Sequence, residues 1–289
     1  MATKNVEIIV PPRPAHFVGD GFRVHNFIPS IYKMQRMDPF IMMDYNSKFN
    51  FGPTSTPRGV GVHPHRGFET VTIAYQGKVE HHDSAGGGGI IAEGDVQWMT
   101  AASGVLHKEY HEPEWAKTGG SFQMVQLWVN LLAKDKMSKP QYQAIANSEM
   151  VKISLGKNGF IELISGNYHD EKGPATTFSP VNMMNAKLNS GGKAAFNFPA
   201  NFNTLALVIE GKITVNGQEE AATDHFVLFE NEGENFTIEA MEDSIVLILS
   251  GEPLREPIVS HGPFVMNSQE EIHRAFDDYN NGKFGYLED

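Results

Sequence analysis

Between residues 61 and 77 the chain reads GVHPHRGFETVTIAYQG. His63, His65 and Glu69 are all odd-numbered, and in an extended strand residues of equal parity share a face. Further along, SGVLHKEYH puts His107 and Glu109 two apart, again on one face, with Gly104 permitting a turn before them. Three imidazoles and one or two carboxylates suit a divalent first-row metal with positions left open for water or substrate. The chain has no cysteine, which excludes thiolate zinc sites, disulfides and cysteine nucleophiles and leaves His, Asp and Glu as ligands. That donor set favours iron, manganese, nickel, copper or zinc over magnesium or calcium. Parity lets either Glu69 or Glu109 face the ion, and spacing does not choose between them.

The other candidates read as structure. His81 and His82 are neighbours, so a strand sends them to opposite faces; beside Asp83 and the run Gly86 to Gly89 they read as a surface pair at a hairpin end. The glycine run lacks the Gly-Lys-Ser/Thr ending of a phosphate loop and reads as a flexible turn. His111 reads as an exposed residue or a support to the ligands, and Trp98 and Met99 read as core. His16, His25 and His261 have no partner at ligand spacing.

The elements that must position these residues are short strands punctuated by Gly, Pro and Asn, such as ETVTIAYQGKVEH, FQMVQLWVNLL, LALVIEGKITVNGQ and SIVLILSG. Turn signals at such intervals predict a β-sandwich or barrel. The Lys-rich stretch from Ala133 to Pro140 reads as a linker, giving a first barrel over 1–133 and a second over 140–289. The halves look duplicated: AYQGKVEHHDS (74–84) matches VIEGKITVNGQ (208–218), and GDVQWM is echoed by TDHFVLF. Setting Gly77-Lys78 on Gly211-Lys212 places His63 on Asn197, His65 on Pro199 and Glu69 on Asn203, so only the first half carries a histidine-rich site. Near the end, Ser268 and Glu271 have capping-box spacing. Ile272, Ala275, Phe276 and Tyr279 then follow the period of an amphipathic helix, stopped by Asn281 and Gly282.

A chain of 289 residues with 40% hydrophobic and 20% charged residues is globular. Its net charge of −12 and lack of a Lys/Arg cluster argue against direct nucleic-acid contact. The N-terminus MATKNVEIIVPPRPAHF is not a signal peptide, and no apolar run reaches membrane-spanning length, so a cytoplasmic monomer without membrane contact is expected.

His-x-His followed by Glu69 and Gly77, with a distant Gly94-Asp95…Gly104-x-x-His107, resembles the two-part signature of cupin barrels. HPHRGFETVTIAYQGKVEHHDS, GDVQWMTAASGVLHKE, GEPLREPIVSHGPFVMN and HFVGDGFRVHNFIPS more narrowly resemble the pirin family, from about residue 13 to 280. The resemblance implies an all-β chain of two cupin (jelly-roll) barrels with a short C-terminal α-helix, metal being held by the first barrel alone. It implies His63, His65, His107 and Glu109 as ligands, leaving Glu69 beside them, with Fe(II) the foremost metal and Mn, Ni, Cu or Zn as alternatives. It further implies quercetin 2,3-dioxygenase activity, which opens a flavonol ring with dioxygen and releases carbon monoxide. Glu109 or Glu69 would be the base for the flavonol 3-hydroxyl. The alternative it implies is a metal- or redox-sensing regulator that binds a protein partner.

Overall fold

Short strands closed by glycine and asparagine turns make up most of the chain, as the spacing of turn residues predicts; the computed structural model describes residues 2–30 and 33–289. Two compact units form, and neither is one continuous stretch. The first comprises Pro14–Asn147 with Leu254–Asp289, the second Met1–Arg13 with Ser148–Pro253.

In the first unit a seven-stranded sheet runs, edge to edge, through Gln141–Ile145, Val96–Thr100, Phe68–Gln76, Gly120–Asn130, Phe40–Phe51, Phe22–Ile28 and His16–Val18. A four-stranded sheet runs through Gly59–His65, Val105–His111, Val79–Asp83 and Gly88–Ile91. The second unit repeats this order. Its seven strands are Val6–Val10, Phe226–Phe229, Asn203–Glu210, Ser244–Gly251, Val181–Leu188, Gly159–Ser165 and Val151–Ser154. Its four are Lys193–Asn197, Asn235–Ala240, Lys212–Val215 and Glu219–Ala222. Strand for strand, the duplication suggested by the two Gly-Lys turns is present in the topology. Apolar side chains alternate inward from both sheets, as with Phe196, Phe236 and Ile238 meeting Ile161, Met184 and Ile248 in the second core.

The unit boundaries differ from the sequence expectation in three places. The first thirteen residues belong to the second unit, because Val6–Val10 pairs antiparallel with Phe226–Phe229 and completes its larger sheet. The stretch from Ala133 to Pro140 stays within the first unit, since Gln141–Ile145 goes on to pair with Val96–Thr100. Lys136, whose charge made this stretch look solvated, is fully buried and donates to Gly67 O at 2.6 Å, Asn130 Oδ1 at 2.7 Å and Val265 O at 3.0 Å. A buried ammonium is tolerated when its three donors are all met. The third difference is the terminal helix, Gln269–Asn280. It packs Ile272 and Ala275 on Phe264, Met266 and Phe284 in the first unit. Its start is capped as its spacing predicts: Ser268 Oγ accepts from Glu271 N, and the Glu271 carboxylate accepts from Asn267 N. Among the described residues no helix is long and apolar enough to cross a membrane.

Gly67 shows how tightly these pieces meet. It sits between Gly59–His65 and Phe68–Gln76 at φ +90°, and a Cβ there would lie 2.0 Å from Val265 O. Lys136 therefore closes a junction with no slack. Replacing it with methionine keeps the bulk but orphans three acceptors, so Lys136→Met should cost about 3 kcal/mol of stability. Urea unfolding of the full chain measures this, and a loss under about 1 kcal/mol would mean the three contacts carry little net weight.

Candidate metal centre

His63 and His65 project from Gly59–His65, and His107 from the neighbouring strand Val105–His111, directly across from His63. One ring nitrogen from each of the three lies within 4.8 Å of the other two. His63 Nε2 and His107 Nε2 are 2.7 Å apart. His63 Nδ1 donates to Gly61 O at 2.8 Å and His65 Nδ1 to Pro263 O at 3.4 Å. A carbonyl only accepts, so both Nδ1 atoms carry the proton and both Nε2 atoms present lone pairs. Burial holds His63 below its ordinary pKa and His65 and His107 well below theirs, so all three rings are neutral at neutral pH. Adjacent nitrogen ligands about 2.1 Å from one ion lie roughly 3 Å apart. Neutral, converging imidazoles, two buried and one half-buried, at these distances fit a divalent first-row ion.

The two carboxylates are placed differently. Glu109 alternates inward with His107 and is 3% exposed, but its carboxylate lies outside the three-histidine cluster. It accepts both oxygens' bonds from Gln126 Nε2, at 3.0 and 2.8 Å, and a longer one from Thr72 Oγ1 at 3.4 Å. Glu69 accepts from Thr100 Oγ1 at 2.7 Å and is 1% exposed. Burial raises each of the two carboxyls to about 7, opposed by those hydrogen bonds. His63 and Glu109 share a cleft of about 40 Å³ with Phe22, Val24, Asn46 and Gln126. Asn46 is buried there with neither amide atom partnered, so the cleft presents a donor and an acceptor ready for a small polar guest.

The second barrel shows what takes the ligands' places. Cross-strand pairing sets Phe196 opposite Phe236 where the first barrel sets His63 opposite His107. By the same pairings Phe198 stands for His65 and Ile238 for Glu109. The Gly-Lys alignment is thus one residue out at this strand: an extra residue before Asn203 shifts the counterparts from Asn197 and Pro199 to Phe196 and Phe198, while Asn203 remains the counterpart of Glu69. Phe196 and Phe236 stack at 4.9 Å and 21° inside the apolar core. Phenyl rings offer no lone pair.

Two supporting residues, His81 and Arg66, were not singled out as functional by spacing, and His111, read as exposed or as a support to the ligands, is packed in the core. His81 is fully buried, not a surface residue, while His82 is exposed; His81 Nε2 lies 3.0 Å from His107 Nδ1, and its ring stacks on Tyr142 at 5.4 Å. Their adjacency allowed at most one to face inward, and the surface-pair reading fails for His81. His111 is also core: it is fully buried, bonds Gly21 O at 2.9 Å, and is surrounded by Phe22, Phe51, Trp115 and Phe122. Burial lowers it to about 4. Arg66, between the ligand strand and Gly67, bonds Ser103 O at 2.7 Å and pairs with Asp278 of the terminal helix at 2.9 Å. Trp98 and Met99 are core as expected, His25 bonds Ser47 Oγ at 2.9 Å, and His16 and His261 are exposed.

A cavity of about 1030 Å³ belongs to the second unit, between the loop around Tyr168–Thr177 and the strand carrying Phe196. None of the three histidines lines it, so size alone does not mark the chemistry.

Two jelly-roll barrels in one chain, with one cluster of metal-ready histidines among the described residues, define a bicupin. Residues 21–129 match the family model described as Pirin, and residues 183–285 the Pirin C-terminal cupin domain. A Pseudomonas aeruginosa protein named "Putative quercetin 2,3-dioxygenase" is 46% identical over 93% of this chain and 94% of its own. Human Pirin is 35% identical over 93% of this chain and 90% of its own. A crystal structure titled as quercetin 2,3-dioxygenase from Acinetobacter baumannii superposes with a TM-score of 0.94 at 48% identity, covering 99% of this chain and 100% of that one. The chain belongs to the pirin family.

Glu69 gives the centre a signature in pH. Its carboxyl is about 7 when folded against an ordinary 4.5, so the folded state holds the proton more tightly than the unfolded state does. Stability is therefore lost as pH rises from 4.5 through 7, by up to about 3 kcal/mol at roughly 1.4 per unit. In metal-free protein, Glu69→Gln should gain stability relative to wild type across that window and level off above it. Calorimetry at pH 4.5 and pH 8 checks this; an offset that does not change with pH would contradict it.

Proposed function

We propose that the chain is a metal-dependent dioxygenase opening the ring of quercetin-type flavonols, with Fe(II) as the working metal. The observation that carries the reading is the convergence of three neutral imidazoles, two buried and one half-buried, two of them meeting through Nε2 at 2.7 Å, with a carboxylate in the cleft that His63 lines. The Pseudomonas and Acinetobacter relatives, whose names carry this activity, support the choice of substrate. When bound, a first-row ion supplies the unpaired electrons that let dioxygen react with a closed-shell flavonol anion.

The chain's own part is to hold ligands, orient substrate and take a proton. His63, His65 and His107 would hold the ion, with Glu109 as the fourth ligand once its carboxylate turns from Gln126 toward them. Burial raises the Glu109 carboxyl to about 7 in the metal-free protein; beside a cation it would be a carboxylate, able to accept the flavonol 3-hydroxyl proton. Until that carboxylate turns, Gln126 donates to both its oxygens and holds it away from the histidines. Glu69, raised equally, is the alternative base. Dioxygen and the flavonol are then the only small-molecule partners, and the setting is a cytoplasmic monomer.

A second reading is favoured by one dimension. At about 40 Å³ the cleft has room for a water or two, far short of a flavonol. Its wall includes Val18 and Phe22 from the hairpin His16–Val18 and Phe22–Ile28, whose outer Phe17 is 53% exposed. Turnover of a flavonol would need this wall to open. A regulator that senses metal and engages a protein partner requires no such opening.

Anaerobic reconstitution with Fe(II), followed by quercetin and dioxygen, separates the two. The enzyme reading expects one carbon monoxide released per quercetin consumed, with His63→Ala and His107→Ala losing bound iron and turnover together. Stoichiometric iron with no turnover of quercetin or other flavonols would leave the regulator.

A further inference from the structure

The contacts behind His107 lead to a consequence that the ligand set alone does not contain. A neutral imidazole has one N–H and one lone pair, so each contact in a chain of rings decides the next. The chain here starts from a fixed end. Gly61 O accepts from His63 Nδ1, so His63 Nε2 is a lone pair. His107 Nε2, 2.7 Å from it, must then be the donor, which leaves His107 Nδ1 as an acceptor. His81 Nε2, 3.0 Å from that Nδ1, must donate in turn. The remaining His81 nitrogen, Nδ1, is buried without a partner, and in this arrangement it is a bare lone pair and not a stranded N–H. All four assignments agree without a clash.

This arrangement does not ligate metal, because His107 has its proton on the nitrogen that faces His63. We propose that His81 is a positioning residue for His107, and that metal binding flips the two rings together to their other tautomers. In the loaded state the His107 proton sits on Nδ1 and donates to His81 Nε2, and the His81 proton sits on Nδ1, a buried N–H without an acceptor whose cost metal binding must offset. No proton is gained or lost overall; each ring moves one from Nε2 to Nδ1. His81 can serve both states because imidazole is donor or acceptor at the same atom, which a carbonyl or carboxylate in that place is not. Tyr142, stacked on His81 at 5.4 Å and 17°, keeps the ring plane in line through the exchange. The inference rests on the three-histidine metal site but not on any substrate.

Zinc(II), being diamagnetic, is the probe, and the full chain labelled with [15N]histidine is the sample. Long-range proton–nitrogen spectra of the metal-free protein should show His81 and His107 protonated at Nε2 and His63 at Nδ1. One equivalent of zinc should move the His81 and His107 protons to Nδ1 and leave His63 unchanged. His81 keeping one tautomer through loading, or His107 already protonated at Nδ1 without metal, would overturn the proposal. Chelator competition gives a second readout. His81→Leu, with no acceptor for His107, should weaken zinc binding by 10-fold to 100-fold, as loss of a supporting partner typically does, whereas His81→Gln, whose amide oxygen accepts, should stay within about threefold of wild type. A folded Leu variant binding as tightly as wild type, or a Gln variant as weak as Leu, would equally overturn it. Wild-type protein that takes up no zinc would instead remove the metal site on which the inference stands.

Discussion

Three imidazoles that aim ring nitrogens at one point repel as ions and cost little as neutral rings, and the groups around this centre keep them neutral and aimed. Burial does the first. Contacts behind the rings do the second, and they come from three different parts of the chain. Gly61 is in the ligand strand itself, His81 is on the strand next to His107, and Pro263 arrives from beyond residue 254. The last of these explains why the C-terminal segment belongs to the first unit. Its helix anchors Arg66 through Asp278, one residue from His65, and Lys136 holds Gly67 O and Val265 O together from beneath. The C-terminal end of the ligand strand is thus fixed by groups remote in sequence.

The second barrel answers what the same scaffold does without that constraint. Strand order and pairing are retained, yet the ligand positions hold Phe196, Phe198 and Phe236, stacked into the apolar core. The replacement trades three polar rings that each need a partner for three that need only packing. Duplication gave two frames, and the chemistry is in the one whose inner face stayed polar.

Much of this was legible in the sequence, and the failures have physical causes. Parity put His63 and His65 on one strand face and His107 with Glu109 on another, and the structure brings the three histidines together. Repeats of turn residues gave the barrels, and capping residues gave the helix start. What was not legible depends on long-range pairing. A single extra residue before Asn203 slid the repeat comparison onto Asn197 and Pro199. Lys136 looked solvated because a sequence shows its charge but not the three carbonyl-type acceptors that meet it. His81 and His82 are indistinguishable until register decides which faces inward. Glu69 and Glu109 share parity, burial and a raised pKa, so neither sequence nor proton affinity separates their roles.

The central claim is that one ion sits among His63, His65 and His107 with Glu109 completing the set. Anomalous scattering at the iron edge from crystals of the Fe(II)-loaded chain tests it most directly. The account predicts a single peak about 2.1 Å from one nitrogen of each of the three histidines, with a Glu109 oxygen at similar distance and Glu69 outside it. A peak bound by Glu69 in place of Glu109, or one away from these histidines in a stoichiometrically loaded protein, would contradict it.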